Sequence, residues 1–82
     1  MSKWVVLITE NGALLRHVFD DKDELLQSMR MVVDASQTWN QSRFQQWVLN
    51  AKAGQWIELR DFQNRVRALV VRSSDPKGWW NE

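Results

Sequence analysis

The tightest constraint on this chain is the pair Asn11-Gly12, set inside KWVVLITENGALLRHVF, where two apolar runs flank it. Both residues accept the positive φ of a type I′ turn, so the sequence predicts a two-residue β-hairpin over Lys3 to Phe19. Centring the turn there pairs Glu10 with Ala13, Ile8 with Leu15, Val6 with His17 and Trp4 with Phe19. Alternation puts Trp4, Val6, Ile8, Leu15, His17 and Phe19 on one face and Val5, Leu7, Thr9, Leu14, Arg16 and Val18 on the other. Both faces are largely apolar. The hairpin is therefore expected either at the centre of a sheet covered on both sides, or as the apolar half of a binding surface.

Asp21 followed by Glu24 resembles a capping box, in which the Asp carboxylate accepts backbone N–H groups and acidic residues favour the helix N-terminus. Leu25, Leu26, Met29, Val32, Val33 and Ser36 then recur at helical spacing, while Asp23, Gln27, Arg30 and Asp34 fill the opposite side. One helix is expected from Lys22 to about Ala35. From Ser36 to Gly54 two readings compete. Phe44, Trp47, Val48 and Ala51 fit a helix, with Thr38 and Gln41 as a second capping box and Gly54 as the glycine that ends it. The rival is a strand over Phe44 to Leu49. Helix is preferred.

Gln55 to Arg60 and Arg65 to Arg72 read as a second hairpin around a polar link at Asp61 to Asn64. Pairing Arg60 with Arg65 puts Leu59 opposite Val66, Glu58 opposite Arg67, Ile57 opposite Ala68 and Trp56 opposite Leu69, which makes one cross-strand ion pair. The core face is then Ile57, Leu59, Val66, Ala68 and Val70. The reverse face carries Trp56, Glu58, Arg60, Arg65, Arg67, Leu69 and Val71. Asp75-Pro76-Lys77-Gly78 is a turn sequence, with Trp79 and Trp80 after it. The fold class that results is α+β: one domain over residues 1–74 in the order ββααββ, with ββαβββ as the alternative, and a tail over 75–82.

Eighty-two residues suit a single small core. With 44% hydrophobic and 26% charged residues the composition is that of a globular chain rather than a disordered one. The sequence has no cysteine, which removes disulfides, thiolate metal sites and thiol nucleophiles together and fits cytoplasmic residence. The longest apolar run, Trp4 to Ile8, is far short of the roughly 18 residues of a membrane helix, so a soluble chain without a signal peptide is expected.

Catalytic chemistry has little to stand on. His17 is the one histidine, and an imidazole on an apolar hairpin face is expected to be structural; a zinc site would need further ligands. The acidic run Asp20 to Glu24 lacks the glycine and the later glutamate of a calcium loop, and helix capping accounts for it. Gly12, Gly54 and Gly78 are scattered and form no phosphate loop. No enzyme activity, cofactor or metal is expected.

The net charge is +1, with four basic and six acidic residues in 1–42 against seven and four in 43–82. Six tryptophans are a heavy load for a chain of this length. Trp4, Trp39 and Trp47 are expected in the core. Trp56, Arg60, Arg65 and Arg67, with Trp79 and Trp80, are the candidate partner-binding residues, because tryptophan and arginine are the commonest interface hot spots. The expected function is a small interaction module, an adaptor, inhibitor or regulatory accessory protein that binds another protein or a second copy of itself. The alternative is nucleic-acid binding, with the arginines on phosphates and Trp56 stacked on a base. Trp79 and Trp80 could equally fold back over the sheet.

Overall fold

The computed structural model describes residues 3–74; the expected tail, with Trp79 and Trp80, lies outside them. Seven elements follow in the order β1 (Lys3–Glu10), β2 (Ala13–Phe19), α1 (Lys22–Ser28), α2 (Arg30–Asp34), α3 (Gln41–Asn50), β3 (Trp56–Arg60) and β4 (Val66–Ser73). The four strands form one antiparallel sheet ordered β2-β1-β4-β3. The class is α+β, as the periodicities indicate, and Phe44 to Leu49 lie in a helix, the preferred of the two readings.

The first hairpin has the expected register throughout, from Trp4 opposite Phe19 to Glu10 opposite Ala13. Asn11 at φ 52° and Gly12 at φ +81° make the turn, both in the left-handed region that a type I′ turn requires. β1 then pairs on its other side with β4, Val6 opposite Val70 and Val5 opposite Val71. β1 is thus hydrogen-bonded along both edges, with Trp4 and Val6 toward the helices and Val5 on the opposite face.

Asp21 caps α1, its carboxylate accepting the Asp23 N–H at 3.0 Å. The expected single helix bends at Met29, whose φ of −91° and ψ of 0° interrupt it between Ser28 and Arg30. The i to i−4 bonds Met29 to Leu25 and Val33 to Met29 persist across the bend, at 3.0 and 2.9 Å. Leu25, Met29 and Val33 all remain buried against the sheet. No proline or glycine marks the position in the sequence, so the apolar rhythm runs through it unbroken.

The cap of α3 is Asn40 rather than Thr38: its side-chain carbonyl accepts the Arg43 N–H at 2.8 Å. Thr38 is engaged elsewhere, sharing a 3.1 Å hydroxyl bond with Ser36 and accepting the Arg60 N–H at 3.5 Å. Gly54 does not terminate the helix either. The helix ends at Asn50 and passes into an extended Ala51, while Gly54, at φ +94°, turns the following loop into β3 and donates to the Arg72 carbonyl at 2.7 Å.

The second hairpin departs most from expectation. Ile57 lies opposite Val70 and Leu59 opposite Ala68, two residues along from the expected pairing, and a bulge between Leu59 and Arg60 brings Arg60 opposite Val66. A shift of two preserves each side chain's face, so Leu59, Ala68 and Val70 are buried as the alternation requires. Val66, beyond the bulge, is exposed instead of joining the core. Glu58 faces Leu69 rather than Arg67, and its carboxylate pairs with Arg60 at 3.2 Å.

The helices pack on the face of Trp4, Val6, Ala68, Val70 and Leu59, where Leu25, Met29, Val33, Phe44 and Val48 complete one core. Trp39 and Trp47 pack against its margin, and the Arg72 guanidinium lies 3.7 Å over the Trp4 ring. No described helix is long and apolar enough to cross a membrane.

Candidate functional site

The loop between β3 and β4 is built around Asp61. Its Oδ1 accepts the backbone N–H of Gln63 at 2.9 Å and of Arg65 at 3.0 Å. Its main chain closes the loop through Asp61 N–H to the Arg65 carbonyl and Asn64 N–H to the Asp61 carbonyl, both 2.9 Å. Asn64 supplies the positive φ, 63°, that the reversal needs. The bond from the Arg65 N–H holds the Asp61 carboxyl below its ordinary range, against a smaller opposing effect of burial; the Gln63 N–H and the charges of Arg65 and Arg67 add to the lowering.

This loop, the end of α2 and the ends of β1 and β3 enclose an open groove of about 540 Å³. Ile8, Val32, Ala35 and Leu59 give it an apolar lining, and Met31 and Phe62 stand at it with 83% and 75% of their surfaces in water. Arg60, Arg65 and Arg67 all line it. Arg60 is tethered, donating to the Asn64 carbonyl at 2.9 Å and to Glu58. Arg65 lies 3.9 Å from the second Asp61 oxygen and is 67% exposed. Arg67 has no hydrogen-bond or ion-pair partner among the described residues. Three guanidinium groups thus meet one lining carboxylate beside two solvent-facing apolar side chains, a combination suited to a ligand that carries both acid and apolar groups.

The strip expected from the sequence is therefore divided. Its three arginines converge on this groove, whereas Trp56, 54% exposed, pairs with Val71 on the sheet face away from the helices. Four residues of strand, roughly 13 Å, separate Trp56 from Arg60. Trp79 and Trp80 lie outside the described residues. Phe62 and Met31 were hidden in polar settings, one within the Asp61–Asn64 link and the other beside Arg30 and Asp34. The signal was present nonetheless, since a large apolar residue in a turn or on a helix's polar stripe is the kind that folding does not require.

His17 is exposed on β2, its ring 6.4 Å from that of Phe19. Among the described residues no three histidine, aspartate or glutamate side chains gather where a metal ion could be held. No family model matches the chain, and no curated protein or solved structure matches it at a significant level.

Proposed function

We propose that this chain is a non-enzymatic interaction module that binds an acidic segment of another protein in the groove between α2 and the β3–β4 loop. Arg65 and Arg67 give charge-assisted hydrogen bonds to the partner's carboxylates, and Phe62 and Met31 pack on its apolar side chains. The observation that carries this reading is the convergence of Arg60, Arg65 and Arg67 on one groove where Phe62 and Met31 stand largely in water. Cytoplasmic residence is part of the proposal and rests on the cysteine-free composition.

The nucleic-acid reading needs Trp56 beside the arginines so that a base stacks while phosphates are neutralised, and the separation of Trp56 from the groove favours the protein partner. The test is fluorescence anisotropy with two probes: a labelled peptide containing alternating Glu and Leu, and a single-stranded oligonucleotide. The peptide should bind, and Arg65→Glu with Arg67→Glu should abolish binding while the circular dichroism spectrum is retained. Oligonucleotide binding that falls steeply with salt, with the peptide inert, would transfer the assignment to nucleic acid.

A further inference from the structure

β2 and β3 are the two edges of the sheet, and they are finished in opposite ways. β3 has five residues, a bulge between Leu59 and Arg60, and an ion pair between Glu58 and Arg60. The Arg60 carbonyl accepts the Gln37 N–H at 2.9 Å, so the segment before α3 closes that end of the strand. Shortness, a bulge, charge and a covering loop all keep a sheet edge from pairing with another chain. β2 has none of the four. Its seven residues run in unbroken register with β1, without proline or lysine, and Leu14, Leu15 and Val18 stand 55, 37 and 40% exposed on it.

The two-residue turn makes Glu10 and Ala13 a hydrogen-bonded pair, and such pairs alternate along the strands from there. The main chains of Ala13, Leu15, His17 and Phe19 therefore face β1, while those of Leu14 and Val18 face outward. No described residue hydrogen-bonds to either. We infer that this edge pairs with β2 of a second copy, antiparallel about a two-fold axis that passes at Arg16 perpendicular to the sheet. In that register all seven residues overlap, and Leu14 of each copy exchanges two main-chain hydrogen bonds with Val18 of the other. The Leu14 and Val18 side chains meet on one face; on the helix side Leu15 meets His17 and Ala13 meets Phe19. Arg16 falls on the axis, but it is partly buried, with its Nε enclosed, and is already engaged within its own chain. The helices of both copies then lie on one side of an eight-stranded sheet, and exposed Leu15 and His17 show that this side of β2 is open to receive the copy. A strand that matches its own reversed copy on both faces and along its whole length specifies a second copy as the occupant. Because β3 is closed, the assembly stops at two. No residue of β2 lines the groove, so the two surfaces are independent.

The experiment uses the full chain. Sedimentation equilibrium, carried to millimolar protein, should give a mass that rises to twice the 9.8 kDa of one chain and no further. An equal mixture of isotope-labelled and unlabelled chain, filtered for nuclear Overhauser contacts between molecules, should show the Cα proton of Leu15 against that of His17. Leu14→Lys puts a charge on the edge, and Val18→Pro removes an N–H that makes no bond inside the sheet. Each should give a single-chain mass at the same concentrations with its circular dichroism spectrum retained. A single-chain mass for the parent at every concentration would overturn the inference, as would a mass that climbs past two. Contacts between molecules that leave out β2 or set it in another register would do the same, and so would a folded Leu14→Lys that remains dimeric.

Discussion

Phe44 and Phe62 form an internal pair for testing where the chain's apolar energy resides, because the same side chain stands at 0% exposure in α3 and at 75% in the β3–β4 loop. Replacing a buried phenylalanine by alanine costs about 3–5 kcal/mol, from lost transfer energy and the cavity left behind. A chain of this length has about 4–12 kcal/mol in all, at roughly 0.05–0.15 kcal/mol per residue. Phe44→Ala therefore removes a quarter or more of the stability, and with a urea slope near 1.5 kcal/mol per molar the midpoint falls by about 2–3 M. Phe62→Ala is expected to stay within about 0.5 kcal/mol of the parent. Equilibrium urea titrations followed by far-ultraviolet circular dichroism read both. A midpoint for Phe44→Ala within 0.5 M of the parent (about a quarter of the expected shift) would refute the packing of α3 on the sheet, because no buried aromatic could be lost so cheaply. A large loss from Phe62→Ala would refute its assignment to the groove, since it would then be core.

Three further outcomes follow from local geometry. Gly12→Ala places a side chain at φ +81° with open space around its Cβ, so the cost is backbone strain alone, about 1 kcal/mol by urea titration. Asn40→Ala removes the cap of α3 and should cost about 1 kcal/mol, with amide exchange faster in the first turn of that helix. Asp61 has a lowered folded pKa, so the folded state binds fewer protons than the unfolded one between that value and about 3.9. Its contribution is complete above about pH 4 and is lost as the pH falls through the folded pKa. Asp61→Asn should thus lower the urea midpoint at neutral pH and flatten its fall in acid; an acid slope equal to the parent's would refute the role given to the carboxylate.

The first hairpin is legible in full because Asn11-Gly12 fixes the register and every later pair follows from it. The apolar character of both faces of β1 also marks it as a middle strand. The second hairpin has no such turn. Its loop is set by side-chain bonds to Asp61, and a shift of two residues leaves each side chain on the same face, so alternation cannot detect it. The competition between Thr38 and Asn40 as cap was decided by tertiary contact, since Ser36 and Arg60 engage the Thr38 hydroxyl. The groove was legible by half. Its arginines stood out as a cluster, but their union with Met31 and Phe62 depends on how α2 sits beside the loop, which no local pattern contains.

The two middle strands of the sheet come from opposite ends of the described chain: Ile8 meets Ala68 and Lys3 meets Ser73, separations of 60 and 70 residues. Each hairpin can close on its own in roughly 1–10 μs, yet an isolated hairpin is marginal in water. Joining them carries a loop-closure entropy of about 3.6 kcal/mol for some 60 residues, before the constant part of that cost. The β1–β4 seam is accordingly the expected slow step of folding, and the chain belongs kinetically with proteins of high contact order despite its helices. During synthesis, a finished first hairpin keeps Val5 and Val6 without their permanent neighbours until β4 has been made, which sets the interval when a chaperone is most useful.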